Sequence, residues 1–467
     1  MLRSSLRFLA ASTFAGLVLC GTFACGSDAS QPNPTASRPS IPTGGCGLAP
    51  YSLLPLDGMG RIVDWQYMSG LSVSAALIDA QLASNNITGF SPVPYGVKVY
   101  RVRYVTQDKG KQVEATALLS FPDTKEAKTF PTVLWTHGTT GFTDKCAPSA
   151  QGLDGGIGNI LLSSQGYAVA APDYLGMNGM GEPAGFLHPY LVAEATAIAS
   201  LDSLRALTRF QGVEGDTDLV PRSGPQTIFW GGSEGGFAAF WADRYLEGYG
   251  PELNLVATVA IVPPTDLKAL AHKAVEQVRP ATAALAAALA AINDWHGNPS
   301  PLSDVLTNDP PSSLATTLPQ VMMTQCGDGN VFDGLTATNQ VYTQNFIDAV
   351  TADNWASIAQ WSCYLEHNTL NATTIARTHD APVLFIVSGA DDLVVADTQR
   401  KDFPVLCGMG YRMQYYECEG ASHTEGATAS LPYQMQWVKK RLAGEALSGA
   451  VCELTTAVQC TPLATTP

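Results

Sequence analysis

The sequence is poor in charge, and poorest in positive charge. Only 14% of its 467 residues are charged, and 41 Asp and Glu against 26 Lys and Arg give a net charge of −15, whereas 46% are hydrophobic. This balance describes a folded protein rather than a disordered one. Because no dense basic patch occurs, we expect no binding to nucleic acid or to anionic lipid surfaces.

The sequence also lacks the cysteine and histidine patterns of metal sites. It contains no C-x-x-C pair and no cluster of Cys and His with the spacing of metal ligands. A zinc site is therefore not expected, and we predict that no metal is bound.

Residues 1–24 are predicted to be an export signal peptide. Two arginines precede the apolar run FLAASTFAGLVLCGTFA, which is too short for a membrane span with proper flanks. Cleavage before Cys25 would give a bacterial lipoprotein, but Thr22 stands where such a signal usually has Leu, and ordinary cleavage after Ala24 fits as well. With this choice open, the protein is expected to be secreted, or to lie at the cell surface or in the periplasm.

Export changes the interpretation of the cysteines that follow the signal. Beyond Cys25 there are eight, an even number, and an oxidising compartment favours their pairing in disulfides. Proximity in the sequence suggests Cys46 with Cys146, Cys326 with Cys363, Cys407 with Cys418, and Cys452 with Cys460.

The order of apolar patterns predicts an α/β fold with a mostly parallel sheet. Residues 97–105 and 113–121 alternate like a hairpin, and later short apolar runs alternate with helical patterns. The pattern breaks for about a hundred residues, where strand signals are almost absent, and then resumes. The predicted organisation is a disordered linker at 25–45, a first core part at 46–262, an inserted helical cap or lid at 263–380, a second core part at 381–445 and a C-terminal tail at 446–467.

The stretch TIFWGGSEGGFAAFW contains the sole G-x-S-x-G of the chain, centred on Ser233. It stands between a predicted strand and a predicted helix, which is the context of a nucleophile elbow. Such a turn is strained and sharp, so the residues two before and two after the serine must be very small, as Gly231 and Gly235 are. A glycine turn with an incidental serine is the alternative.

A serine nucleophile needs a histidine base that an acid orients, and in this fold the chain order is Ser, acid, His. Of seven histidines, His423 alone follows the acidic pair Asp391 and Asp392 at the end of a late predicted strand. Spacing from Gly389 favours Asp392 as the acid, with Asp391 capping or bonding the turn.

The oxyanion hole requires backbone N–H donors from two places. The residue after the nucleophile, Glu234, supplies the first through its N–H group, and the loop WTHGTTG supplies the second. Thr139 is the preferred donor there and Thr140 the alternative, with Thr140 and Tyr174 as candidate substrate-binding residues. His137 is interpreted as a residue that braces this loop.

Taken together, the segments HGTTG, CAPS, PDYLG, HPYL, GGSEGG, PPTDL, GADDLVV and GASH resemble, in this order, the secretory lipase family of lipase A-like α/β-hydrolases from yeast and bacteria. The resemblance runs from about Val97 to Lys440. It implies a carboxylic ester hydrolase with the triad Ser233, Asp392 and His423, and a helical cap over an acyl pocket. The longer insertion MNGMGEPAGF between DYLG and HPYL departs from the pattern.

The resulting hypothesis is an exported serine esterase or lipase that forms an acyl-enzyme on Ser233 and requires no cofactor. A serine peptidase of the prolyl-oligopeptidase type uses the same triad and fold, although no β-propeller repeat is evident in the sequence. A catalytically silent hydrolase fold that serves as a surface binding protein is the third reading. The ester's acyl length and the oligomeric state are left open.

Overall fold

The computed structural model describes residues 41–84, 90–211, 214–309, 313–327 and 330–460. The predicted export signal, Cys25 and most of the predicted linker lie outside these residues. The strands are β1 (Ile62–Tyr67), β2 (Gly96–Asp108), β3 (Lys111–Asp123), β4 (Thr129–Thr136), β5 (Ala168–Pro172), β6 (Arg222–Gly232), β7 (Asn254–Ile261), β8 (Val383–Ser388) and β9 (Met413–Cys418).

Helices alternate with the strands in the first and last parts of the chain. The helices are α1 (Ala75–Ser84), α2 (Leu153–Ser164), α3 (Ala193–Phe210), α4 (Glu234–Tyr249), α5 (Leu267–Glu276), α6 (Pro280–Trp295), α7 (Leu314–Thr324), α8 (Gln344–Thr351), α9 (Ala359–His367), α10 (Ala396–Gly408), α11 (His423–Ala429) and α12 (Leu431–Leu442). Within the described ranges, no helix is both long enough and apolar enough to cross a bilayer.

The strands form one nine-stranded sheet in the order β1-β2-β3-β5-β4-β6-β7-β8-β9. The pairs from β5 to β9 are all parallel, whereas β1, β2 and β3 join antiparallel. The predicted hairpin is β2 and β3, which pair in continuous register. The expected mostly parallel α/β fold is thus confirmed.

Both faces of the sheet are covered, and its central strands accordingly contain continuous apolar runs. In β6, Ile228 and Trp230 face one hydrophobic core while Phe229 faces the other. The first core contains α1, α2 and α12, and the second contains α3, α4 and α10. A strand that is buried on both sides loses the alternation of polar residues, which explains the continuous apolar runs in the sequence.

Five helices, α5 to α9, lie between β7 and β8, and the described residues of that segment contribute no strand to the sheet. We call the segment between Ile261 and Val383 the helical insertion. It occupies the place of the predicted cap, and the exact cap boundaries stay a prediction.

The last residues of the predicted linker, 41–45, are among the described residues, and some of them contact the fold. Thr43 and Tyr51 are joined by a hydrogen bond from the Tyr51 N–H to the Thr43 Oγ1 at 3.2 Å. Ile41 packs against the hydrophobic core. The side chains of Ile41 and Thr43 therefore have partners in the folded part of the chain.

All eight cysteines beyond Cys25 form disulfides, as predicted, but all four predicted pairings are wrong. The structure joins Cys46 with Cys363, Cys146 with Cys326, Cys407 with Cys452, and Cys418 with Cys460. Proximity in the sequence failed because the bridges fasten segments that the fold brings together from far apart, such as Cys46 and a residue 317 positions later. The last two bridges attach the C-terminal tail to α10 and β9.

Candidate active site

Ser233 stands in a strained turn between β6 and α4. Its φ is +58° and its ψ is −123°, a conformation that residues other than glycine seldom adopt. A Cβ atom on Gly231 would lie 2.0 Å from Thr136 Oγ1, and one on Gly235 would lie 2.0 Å from the Thr136 carbonyl oxygen. Side chains at either position would push the turn away from β4, so the two glycines are required by close approach.

The backbone of Ser233 is held on both sides. Its N–H donates to the carbonyl of Ile261 at 2.8 Å, and its own carbonyl accepts from Phe237 N–H at 3.1 Å, which begins α4. Its Oγ makes no hydrogen bond with any other described residue. The turn therefore fixes the serine and leaves its hydroxyl for a substrate.

His423 and Asp391 form a hydrogen-bonded pair at the same edge of the sheet. His423 Nδ1 lies 2.7 Å from Asp391 Oδ2. The other carboxylate oxygen, Oδ1, accepts the N–H groups of Leu393 at 3.0 Å and Val394 at 2.9 Å. With both oxygens engaged and its side chain fully buried, Asp391 has one orientation. Since Nδ1 donates to this carboxylate, Nε2 is left with the lone pair that a general base needs.

The prediction of Asp392 as the partner of His423 is wrong. Asp392 is exposed, whereas Asp391 is buried against the histidine. The turn after β8 is tight, with Asp391 N–H donating to the carbonyl of Ser388 at 3.1 Å, and this turn directs residue 391 inward. The bonds from Leu393 and Val394 confirm that Asp391 also bonds the turn.

Ser233, Asp391 and His423 all follow parallel strands, namely β6, β8 and β9, so they share the carboxyl edge of the sheet. Neither Ser233 Oγ nor His423 Nε2 makes a hydrogen bond with a described residue, so the structure does not join these two atoms at hydrogen-bond distance. In enzymes with such pairs this bond often shortens only when substrate is present.

A narrow apolar cavity of about 30 Å³ lies over Ser233. The turn that holds Asp391 contributes Leu393 and Val394 to its wall, and the helical insertion covers it. The residues from the insertion side are Pro264, Leu267, Leu270, Ala281, Ala284, Leu285, Ala288 and Leu365. This volume holds a water molecule or two and no acyl chain.

The loop after β4 lies beside the elbow. A Cβ on Gly138 would be 3.6 Å from Ser233 Cβ. The backbone N–H groups of Thr139, Thr140 and Glu234 donate to no other described residue, and the Thr139 hydroxyl donates to the Tyr190 hydroxyl at 3.1 Å. Unused N–H groups next to a serine hydroxyl suit an oxyanion hole. The choice between Thr139 and Thr140 as donor stays a prediction, as does a substrate-binding role for the exposed Thr140.

Tyr174, predicted to bind substrate, does not line the cavity over Ser233. Its side chain is fully buried, and its ring lies between the rings of His137, at 4.3 Å, and His188, at 5.7 Å. Its hydroxyl donates to the carbonyl of His137 at 2.9 Å. Tyr174 therefore supports the loop that carries Thr139 instead of lining the cavity, and the bracing interpretation of His137 agrees with its bond from Nδ1 to the Gly138 carbonyl at 2.7 Å.

Sequence reasoning missed a buried pair under the elbow. His188 Nε2 lies 2.8 Å from Glu234 Oε1, and both side chains are 1% exposed. The histidine begins the quoted segment HPYL and the glutamate stands in GGSEGG, so both were visible in the sequence. Their separation of 46 positions gave no sign of contact.

Comparison with known proteins decides the family. A family model described as secretory lipase matches residues 156–449, which is more than half of the chain. The chain belongs to the secretory lipase family. This secretory lipase is a carboxylic ester hydrolase, as predicted, and membership together with four disulfides indicates secretion.

Individual relatives of the secretory lipase are distant in sequence. Secreted triacylglycerol lipase LIP4 of Malassezia globosa is 22% identical over 368 residues, which cover 74% of this chain and 72% of that protein. The rice cell wall degrading esterase LipA of Xanthomonas oryzae superposes with a TM-score of 0.68 at 19% identity, over 83% of this chain and all of that one. Lipase A of Candida antarctica in its closed state gives 0.59 at 17% identity, over 88% and 87%. These likenesses show the α/β-hydrolase fold.

Proposed function

We propose that this secretory lipase hydrolyses carboxylic esters through an acyl-enzyme on Ser233, with His423 as base and Asp391 as the acid that orients it. The observation that carries the proposal is the Asp391–His423 pair at the sheet edge where the elbow exposes the Ser233 hydroxyl. A carboxylate with two backbone partners and one imidazole partner is the orienting group that a serine hydrolase needs.

The reaction has two halves. His423 Nε2 takes the proton from Ser233 Oγ as the hydroxyl attacks the ester carbonyl, and the resulting imidazolium is stabilised by the buried Asp391. The imidazolium then protonates the leaving alcohol, which departs from the acyl-enzyme. Water attacks the acyl group in the same way and releases the carboxylic acid, which restores the hydroxyl.

The oxyanion forms beside the elbow, where N–H groups of Glu234 and of Thr139 or Thr140 are unused. Glu234 begins α4, so the positive end of the helix dipole also lies there. In enzymes of this kind, loss of one such donor lowers kcat about 10²- to 10³-fold.

The apolar lining of the Ser233 cavity favours an acyl group as the moiety that is bound there. Since the cavity of about 30 Å³ is too small for an acyl chain, we propose that the helical insertion must shift to admit the substrate. The related Malassezia protein is named a triacylglycerol lipase, and the same ester class is proposed here.

The test measures one enzyme against three substrates. The purified protein should react with a fluorophosphonate at Ser233 and cleave p-nitrophenyl esters faster than a peptide anilide, with short and long acyl chains compared. Ser233→Ala should abolish labelling and esterase activity. Dominant anilide cleavage would instead identify a peptidase, and absence of labelling would favour a silent binding protein.

We propose that the protein is exported and that it then either carries a lipid anchor at Cys25 or is released as a free secreted protein. The support is the sequence around Cys25, where a Gly and Ser follow the cysteine. Expression with a clickable palmitate analogue distinguishes the two outcomes: label that is lost in Cys25→Ser indicates the anchor, and unlabelled protein in the medium indicates free secretion.

A further inference from the structure

A buried carboxyl group lies one residue from the proposed nucleophile. The Glu234 side chain turns away from solvent, and its Oε1 lies 2.8 Å from His188 Nε2. A negative charge develops on the substrate oxygen during ester hydrolysis, and a second negative charge nearby in a low dielectric would oppose it. The charge on Glu234 therefore bears on the reaction.

The hydrogen bonds of His188 fix the number of protons in the pair. His188 Nδ1 lies 2.7 Å from the carbonyl oxygen of Leu175. A carbonyl only accepts, so Nδ1 carries a hydrogen. The 2.8 Å contact between Nε2 and Oε1 needs one more proton, which resides on the imidazole or on the carboxyl. In either arrangement the pair as a whole is neutral.

Among the described residues, the Glu234 carboxyl has no hydrogen-bond partner other than His188. The second carboxyl oxygen, Oε2, is buried without a hydrogen-bond partner, as is Nε2 of His137. Burial lowers the pKa of the His137 imidazole, and the charge of Glu234 offsets this only in part. A neutral His137 supplies no countercharge, so the neutrality of the pair depends on the proton that His188 and Glu234 share.

The pair of His188 and Glu234 is connected, through packed side chains, to the loop after β4 that carries the second oxyanion donor. The Tyr174 ring stacks between His188 and His137, and the His137 Nδ1 donates to the Gly138 carbonyl at 2.7 Å. His188 also donates its own backbone N–H to the Phe142 carbonyl at 3.1 Å, just beyond this loop. The position of His188 thus affects both sides of the proposed oxyanion hole.

We infer that His188 is a positioning residue that neutralises Glu234 beneath the elbow, so that the oxyanion forms without an uncompensated carboxylate beside it. The inference rests on the proposed ester hydrolysis at Ser233. Neither side chain exchanges a proton with the substrate, and the effect is on the stability of the transition state.

Three variants separate charge from packing: His188→Gln, Glu234→Gln, and the double variant. In His188→Gln the carboxylate keeps a donor but loses its countercharge, and kcat should fall about 10- to 100-fold with KM nearly unchanged. In Glu234→Gln a neutral pair remains, since the amide N–H donates to Nε2, and the loss of kcat should be at least about fivefold smaller than in His188→Gln.

The double variant gives the decisive comparison. Because it removes the carboxylate together with its partner, it should regain at least about fivefold in kcat over His188→Gln, a non-additive result. If the pair only fills space, the double variant is as slow as or slower than His188→Gln, and the inference is overturned. A kcat loss in Glu234→Gln that equals or exceeds the loss in His188→Gln overturns it as well.

The controls separate this inference from the proposed function. His272→Gln removes a histidine that pairs with the exposed Asp353 at the surface, at 2.9 Å, and should leave kcat unchanged. Thermal unfolding identifies any variant that fails to fold. If the wild-type enzyme itself is not labelled by a fluorophosphonate, the proposed function fails; if it is labelled and the double variant shows no recovery, only the role of His188 fails.

Discussion

His423 and Asp391 are joined through Nδ1 and Oδ2 at 2.7 Å, and the carboxylate oxygen that faces away from the ring is held by two backbone N–H groups. This arrangement fixes the tautomer of the imidazole. It also distinguishes Asp391 from its exposed neighbour Asp392, although the two residues are chemically identical.

Asp391→Asn should lower kcat for a p-nitrophenyl ester by about 10⁴-fold, because an amide at this position can stabilise the wrong tautomer and cannot stabilise the imidazolium. Asp392→Asn should change kcat by less than about twofold, since its side chain is exposed and has no part in the pair. Steady-state kinetics on the two variants check this, with circular dichroism to confirm folding. Equal losses in both variants would contradict the assignment.

Gly235→Ala should destabilise the protein and abolish esterase activity, because its Cβ would lie 2.0 Å from the Thr136 carbonyl oxygen. We expect a loss of about 1–3 kcal/mol or more in the free energy of unfolding. Gly232→Ala is the matched control, since the nearest atom to its Cβ would be 3.6 Å away. Urea unfolding measures both, and a Gly232→Ala protein as unstable as Gly235→Ala would refute the close-approach argument.

Glu194→Gln should make the protein more stable at pH 8 but not at pH 4. Burial raises the pKa of Glu194 to about 7 from its ordinary value of 4.5. The folded state therefore holds a proton that the unfolded state releases between pH 4.5 and 7, and stability falls as pH rises through this window. At 1.36 kcal/mol per pH unit, the wild type loses up to about 3 kcal/mol in its free energy of unfolding across this window, and Glu194→Gln avoids this loss.

The Glu194→Gln substitution preserves the hydrogen bond that the side chain at position 194 accepts. The Tyr51 hydroxyl donates to Glu194 Oε1 at 2.5 Å, and the Gln oxygen accepts in the same way. Chemical unfolding at pH 4 and pH 8 gives the comparison, with the exposed Glu182→Gln as control. A stability difference that is equal at both pH values would show that the burial of Glu194 has no such consequence.

Replacing Cys146 and Cys326 together by Ser should lower the free energy of unfolding by about 2–5 kcal/mol, since the bridge restricts the unfolded chain. It joins residues 180 positions apart and fastens the helical insertion next to Gly141, whose Cβ would lie 2.4 Å from Cys146 Sγ. Urea denaturation of the double variant under non-reducing conditions measures the change. A variant as stable as the wild type would show that packing alone holds this junction.

The sheet and the elbow were predictable because local patterns determine them. Continuous apolar runs identified the central strands, and G-x-S-x-G between a strand and a helix identified Ser233. Chain order alone selected His423, which the structure places beside an aspartate. Each of these inferences uses residues that are neighbours in sequence or a fixed order along it.

The errors share a different origin. Choosing between Asp391 and Asp392 depends on how tightly the turn after Ser388 closes, which the spacing rule does not encode. Tyr174, a candidate for substrate binding, is buried between two imidazoles from other segments, a placement that its position in the sequence does not reveal. Disulfide partners likewise depend on tertiary proximity, which separation along the chain does not reveal.

The bridge between Cys418 and Cys460 has a consequence for handling this enzyme. Cys418 ends β9, and the residues around Val458 pair with the same strand end, through Val458 N–H to the Glu417 carbonyl and Glu419 N–H to the Val458 carbonyl at 2.9 Å each. The loop that leads to His423 therefore starts from a covalently fastened point. Thiol reductants would cleave this disulfide without modifying the proposed catalytic residues. Enzyme prepared from a glutathione-rich cytosol would therefore keep these residues but lack the bond that fastens the start of the loop before His423.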